Sequence, residues 1–254
     1  METRSEARAG VRWLGHATAL IELDGMRVMT DPVLRNRVGP LVRVAPLAVD
    51  GAIDRLDGVL LSHLHADHAD LPSLRRIPAG TPLVAPYPAG AWLARKGVRD
   101  VQELRSGERM TIGSLEVTAT HVTHDGRRRP FGPAADPIGY LLRGSRTFYF
   151  PGDTDLDPSM VALRGAVDVA LIPVWGWGRS LGPGHLDPRR AATAVALIAP
   201  SIAIPIHWGT FALSVVGTGR SDVKRPAMEF AAMTRRYAPA VDVRVLAPGE
   251  RIEL

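Results

Sequence analysis

His63-Leu64-His65-Ala66-Asp67-His68 follows directly on the apolar run Gly58-Val59-Leu60-Leu61-Ser62. The run predicts a buried strand, so its end is a rigid platform for the four metal-ligand side chains that come next. Three histidines and one aspartate are too many for one tetrahedral site that keeps a position open, because such a site needs three protein ligands. In an extended segment His63 and His65 point to the same side and can share one cation. Asp67 and His68 lie beyond, where the chain turns, and can face a second. The hexapeptide therefore points to two adjacent metal sites and to hydrolysis by metal-activated water; the competing reading is a solvated polar loop.

Two further strand ends carry ligand types. Thr147–Phe150 reads as a β-branched and aromatic strand and runs into Pro151-Gly152-Asp153-Thr154. An aspartate just past a buried strand, behind a glycine that permits close approach, suits a carboxylate bridging two cations. A plain aspartate turn is the blander alternative. Ser201–Ile206 delivers His207 and then Trp208-Gly209-Thr210. Each end is weak alone, and three together make a specific pattern. The remaining histidines are His16, His121, His124 and His185, the first and last each preceded by glycine.

The other elements frame these ends. Ala19–Leu23 and Met26–Thr30 flank Asp24-Gly25, a strong hairpin dipeptide. Leu83–Ala85, Leu115–His121, Ile138–Arg143 and Val167–Ile172 are further predicted strands. A helical stripe over Ala89–Lys96 stops at Gly97, a residue suited to the position after a helix end. Asp187-Pro188 is a helix start, with Asp as N-cap and Pro in the first turn, leading into Arg189–Ala199. A last helix is expected over Pro226–Tyr237. Strands interleaved with helices imply a layered α/β architecture, with a polar tail over residues 1–10 and one domain over 11–254.

The 254 residues contain no cysteine, which excludes disulfides, thiolate zinc and iron–sulfur sites. The charged opening METRSEARAG resembles neither a signal peptide nor an anchor, and a cytoplasmic protein without stable membrane insertion is expected. Ala191–Ile206 is the most apolar stretch, but Pro200 and Pro205 interrupt it, so it reads as helix and strand and not as a membrane span. The net charge of +5 comes almost wholly from arginine, since Lys96 and Lys224 are the only lysines. It suits an anionic small molecule but is equally a compositional bias. Neither a basic helix nor an aromatic-basic pattern marks a nucleic-acid module. The oligomeric state is left open to a homo-oligomer.

With these words in hand, the chain resembles the metallo-β-lactamase fold superfamily. Within it, the chain looks most like the branch holding N-acyl-phosphatidylethanolamine-hydrolysing phospholipase D and the ascorbate-6-phosphate lactonase relatives. The shared words are WLGHAT at Trp13–Thr18, TDPVL at Thr30–Leu34, LLSHLHADHADL at Leu60–Leu71 and PGDTD at Pro151–Asp155. GHLDPRRA at Gly184–Ala191 and IPIHWGTFAL at Ile204–Leu213 complete them. The resemblance implies a four-layer αββα sandwich, two mixed sheets flanked by helices, with two divalent metal ions at one edge. Zinc is the first expectation, with manganese or iron as alternatives. By motif, His63, His65 and a middle-region histidine hold the first ion, Asp67, His68 and His207 the second, and Asp153 bridges. The relatives carry the middle ligand a few residues past its strand, ahead of a basic position, which favours His124 over His121. Asp125 stands where they usually carry a bulky aromatic.

The expected activity is hydrolysis of a phosphodiester or phosphorylated small molecule by a metal-bridging hydroxide, with Asp67 and His185 as catalytic residues. Asp67 holds metal and nucleophile and accepts a proton; His185 donates to the leaving group or binds an anionic oxygen, with a structural role as its alternative. Arg127, in the run Arg127-Arg128-Arg129-Pro130-Phe131-Gly132-Pro133, is a candidate phosphate contact. Trp175, beside Gly176-Trp177-Gly178, is a candidate pocket residue, as are Trp208 and His16. The alternatives are a lactonase or other carboxylic ester hydrolase on the same scaffold, or a non-catalytic metal or anion sensor. An oxygen-reducing di-iron relative is disfavoured, because those carry a glutamate where this chain has His65.

Overall fold

A computed structural model describes residues 9–130, 132–177, 182–213 and 223–254. Phe131 of the arginine-rich run, Gly178 and residues 1–8 of the expected tail lie outside the described residues.

The first part of the chain forms β1 (Gly10–Gly15), β2 (Thr18–Leu23), β3 (Met26–Thr30), β4 (Arg37–Val38), β5 (Leu41–Arg43) and β6 (Gly58–Leu60). After it come α1 (Leu71–Leu74), β7 (Leu83–Pro86), α2 (Gly90–Arg95), β8 (Val101–Leu104), β9 (Arg109–Ile112) and β10 (Leu115–His121). Then follow β11 (Ile138–Arg143), β12 (Thr147–Phe150), β13 (Val169–Pro173), α3 (Pro188–Ile198), β14 (Ile202–Ile206) and β15 (Phe211–Leu213). The chain closes with α4 (Arg225–Tyr237), β16 (Asp242–Val243) and β17 (Arg251–Glu253).

Among the described residues these strands form two seven-stranded sheets, in the orders β17-β1-β2-β3-β6-β7-β8 and β16-β14-β13-β12-β11-β10-β9. Each is antiparallel over four strands and parallel over the rest. Their facing surfaces share one core in which Trp13, Ile21 and Val28 of the first sheet belong with Tyr140, Phe148 and Phe150 of the second. Burying each side chain of this size contributes about 1.5–3 kcal/mol. Leu74 and Leu93 of α1 and α2 pack with Leu20, Met29 and Val59 on the outer face of the first sheet. Helices α3 and α4 pack on each other and against β13, β14 and β16 of the second. This is the αββα sandwich that the resemblance implied. Among the described residues no helix is long and apolar enough to cross a membrane.

Helix α3 starts as its sequence predicts: Asp187 accepts the Arg190 N–H at 2.8 Å, and Pro188 occupies the first turn. A third sheet, in the order β15-β5-β4, was not expected. It is held by the buried Arg43, whose guanidinium donates to the Leu14, Val33 and Arg35 carbonyls and lies over the Phe211 ring.

The two large sheets meet closely at one edge. The Tyr140 hydroxyl crosses from the second sheet to the Leu61 carbonyl at 2.7 Å. Gly152, with φ of 65°, approaches Ser62 so tightly that a Cβ there would lie 2.3 Å from the Ser62 Cβ. Only glycine fits that backbone and that contact, and it brings Asp153 up against the end of β6.

Candidate metal centre

Four chain ends converge at this edge: the hexapeptide after β6, His124 after β10, Asp153 after β12 and His207 after β14. Their donor atoms fall into two overlapping halves. His63, His65 and His124 form one, with His65 Nδ1 and His124 Nε2 facing each other at 3.1 Å. Asp67, His68 and His207, with His16 grouped beside them, form the other, and His68 Nε2 and His207 Nε2 are also 3.1 Å apart. Asp153 lies between them. Its Oδ2 is 3.2 Å from His68 Nε2 and its Oδ1 is 3.3 Å from His207 Nε2, while it also groups with His124 and His185.

Whether these residues fit a cation can be tested on three observations. Tetrahedral zinc with nitrogen ligands at about 2.0–2.1 Å needs donor–donor edges of about 3.3 Å, close to the separations above. Among the described residues His63 Nε2 is buried without any hydrogen-bond partner, an uncommon state for a polar atom that costs free energy unless something binds it. The opposite ring nitrogens are tied down, which is how a metal-binding imidazole is oriented. His68 Nδ1 donates to Asp31 Oδ2 at 2.7 Å, His124 Nδ1 to the Gly184 carbonyl at 2.7 Å and His207 Nδ1 to the Trp175 carbonyl at 2.5 Å. The residues fit.

Asp31 was missed in the sequence reading. It is fully buried and takes the Ser62 N–H, the Ser62 hydroxyl and the His68 ring. Since the Ser62 hydroxyl donates to Asp31, it accepts from His63 Nδ1 at 2.9 Å, so one carboxylate orients a histidine in each half. The only sequence signal was the word Thr30-Asp31-Pro32.

Charge states follow from burial and neighbours. Burial, with His68 next in effect, holds His63 well below its usual value, and His65 is lowered for the same reasons. Burial also lowers His207, and it brings His124 down to about 4. Both carboxylates are driven well below the usual range although burial opposes it, Asp67 by its bond to His16 and by His68, Asp153 by His207 and His68. Neutral imidazoles and ionised carboxylates are the forms that bind cations. His68 differs: burial pushes it down, but Asp153 and Asp31 prevail and hold it well above 6.5.

The two candidates for the middle histidine occupy different places. His124 is in the cluster, whereas the His121 side chain is 61% exposed and pairs with Asp157 at 3.5 Å. His185 lies at the rim, its Nε2 3.4 Å from Asp153 Oδ2. Gly184 before it has φ of 83°, and a Cβ there would stand 3.0 Å from His124 Nδ1.

Three expected pocket residues are placed differently. Trp208 is 3% exposed, its indole tilted against that of Trp13 at 4.9 Å and donating to the Pro205 carbonyl; it packs the core and does not line a pocket. His16 is also buried, bonded to Asp67 at 3.1 Å. Trp175 is partly buried, and its carbonyl is what reaches the site. Trp177 is the tryptophan at the mouth, 39% exposed, with Nε1 donating to Asp67 Oδ2 at 2.9 Å. Of the arginine run, Arg128 holds the hexapeptide loop through the Leu64 and Ala69 carbonyls, Arg129 pairs with Asp125, and Arg127 is exposed.

Two stacked mixed sheets with outer helices and a histidine–aspartate cluster at their common edge are the metallo-β-lactamase fold, and the chain belongs to the beta-lactamase superfamily, whose domain profile matches residues 26–208. It is 31% identical over 250 residues to a UPF0173 metal-dependent hydrolase of Methanopyrus kandleri, covering 96% of this chain and 99% of the relative. Among solved structures it is similar to Igni18, a metallo hydrolase from Ignicoccus hospitalis, at a TM-score of 0.74 and 23% identity over 97% of this chain and 98% of that one. It is similar also to CmlA, a diiron β-hydroxylase from Streptomyces venezuelae, at a TM-score of 0.72 and 20% identity, covering 100% of this chain and 55% of that one. One fold thus carries different reactions, and the side chains at the edge must decide between them.

Proposed function

We propose that this chain is a dinuclear metal-dependent hydrolase acting on a phosphodiester or phosphorylated small molecule. The observation that carries the reading is the position of Asp153, whose two oxygens serve His68 and His207 on one side while the same carboxylate groups with His124 on the other. The Methanopyrus relative's designation as a metal-dependent hydrolase supports it.

His63, His65 and His124 would hold one cation and Asp67, His68 and His207 the other, with Asp153 able to serve both. Bound there, the pair supplies an acidified water as nucleophile and Lewis-acid stabilisation of developing negative charge. Asp67 Oδ2 already receives N–H groups from His16 and Trp177. A carboxylate oxygen has about two acceptor positions, so Oδ2 is filled and Oδ1 would be the oxygen free to hold a cation, with Asp67 acting chiefly as an orienting ligand. Proton transfer falls to His185, the half-buried rim histidine beside Asp153, which donates to the leaving oxygen. Arg127, exposed three residues past His124, attracts the anionic substrate. The Trp177 indole forms part of the mouth.

The test is a side-by-side assay of metal-loaded protein on a generic phosphodiester, a lactone panel and a chromogenic β-lactam. Turnover is expected on the phosphodiester. Turnover on lactones alone would keep the metal chemistry and replace the substrate class. Inactivity on all three, with two ions bound, would leave a sensor.

A further inference from the structure

His16 is not among the seven residues that the motif implies as ligands, yet its ring nitrogen groups with the donors of Asp67, His68 and His207, and it touches Asp67 and His207, which come from different sheets. Its Nε2 donates to Asp67 Oδ2 at 3.1 Å, and its ring lies against that of His207 with centroids 3.9 Å apart. Its carbonyl accepts the His207 backbone N–H at 2.9 Å. We propose that His16 is the positioning residue of the second metal subsite, fixing Asp67 and His207 relative to each other. The inference rests on the dinuclear reading above.

The residue is itself held from several directions. Its N–H donates to Thr210 Oγ1 at 2.7 Å, and its carbonyl also accepts the Trp13 indole N–H at 2.9 Å. It sits at φ of 54° and His207 at 64°, a left-handed backbone that persists in non-glycine residues only where surroundings impose it. Gly15 before it is packed so closely that a Cβ would lie 2.8 Å from Arg43 Nη1 and 2.9 Å from Thr210 Cγ2. Asp67 hangs from the end of β6 in the first sheet and His207 from β14 in the second. His16, at the end of β1, spans that gap. Trp177 donates to the same Asp67 oxygen, so that oxygen is held by two N–H groups from separate parts of the chain. At 1% exposure His16 cannot serve as pocket wall.

The experiment titrates metal-free protein with cobalt(II), followed by visible absorbance, for the unsubstituted chain, His16→Phe and His16→Gln. Phenylalanine keeps a ring against His207 and removes the donor; glutamine restores an N–H. The unsubstituted chain should show two binding steps. His16→Phe should leave one unchanged and weaken the other by about 10–100-fold, the usual effect of losing a group that orients a ligand, and His16→Gln should recover part of the loss. Unchanged binding in His16→Phe, or equal weakening of both steps, would overturn the proposal. A second readout needs no cation: in metal-free protein labelled with 15N-histidine, the His16 Nε2 signal should move in Asp67→Ala, and a signal that stays in place would also overturn it. If the unsubstituted chain fails to take up two cobalt ions while that signal does move, the dinuclear reading falls and the His16–Asp67 link stands.

Discussion

The two halves of the centre are built by different means. Around His68 and His207 the outward ring nitrogens are tied to Asp31 and to the Trp175 carbonyl, and Asp67 is held by His16 and Trp177. That half lies mainly inside the sandwich. In the other half His63 is buried, but the rings of His65 and His124 are only half-buried, and His124 is anchored by the carbonyl of Gly184 on the rim loop. The inner half is held by hydrogen bonds that the sandwich fixes, while the outer half is more exposed and is anchored to the loop that carries His185.

The largest effect is expected at Asp153, which lies between the two halves. Asp153→Ala should lower kcat/KM by about 10³-fold or more, with circular dichroism showing the fold retained; activity near that of the unsubstituted chain would mean the halves do not work as a unit. His185→Ala should lower kcat by about 10²–10⁴-fold at unchanged metal content, measured by elemental analysis beside the assay. Paired variants test the outer half: His124→Ala should lose one ion and His121→Ala none, since His121 pairs with Asp157 at the surface.

Acidity separates the halves again. His68 is held well above 6.5 because Asp153 and Asp31 outweigh burial, so a cation at its Nε2 must displace a proton. Affinity at the inner half should therefore rise with pH, by up to about tenfold per unit, until the raised value is passed. His124 is pushed down to about 4, so the outer half should show no such dependence through neutrality. Calorimetric titrations at several pH values read both. The smallest effect is expected at Arg127→Ala, about a tenfold rise in KM for an anionic substrate, since Arg127 contributes only one exposed charge.

What was legible in the sequence follows the same divide. His63, His65, His68, Asp153 and His207 could be read because each is a donor at the end of an apolar run, and such runs become central strands. His124 needed the resemblance, because two histidines follow β10 and spacing alone does not choose. Asp31 was invisible in its role: an aspartate before proline looks like a turn, and its partners are 31 and 37 residues away. His16 was read as a cleft residue because its contacts form only when the ends of β1 and β14 meet. Trp208 was misplaced because an aromatic beside a ligand can face either the pocket or the core. Strands β8 and β9 at the sheet edges, with Gln102, Glu103 and Arg109 exposed, lack the apolar pattern that marked the interior ones.

Two cations sharing Asp153 are the core of the proposed chemistry. Crystals of the zinc-loaded protein, measured with anomalous diffraction at the zinc edge, should show two peaks roughly 3.5–4 Å apart, one against His63, His65 and His124 and one against Asp67, His68 and His207, with Asp153 touching both. A single peak, or two peaks that Asp153 does not join, would contradict it.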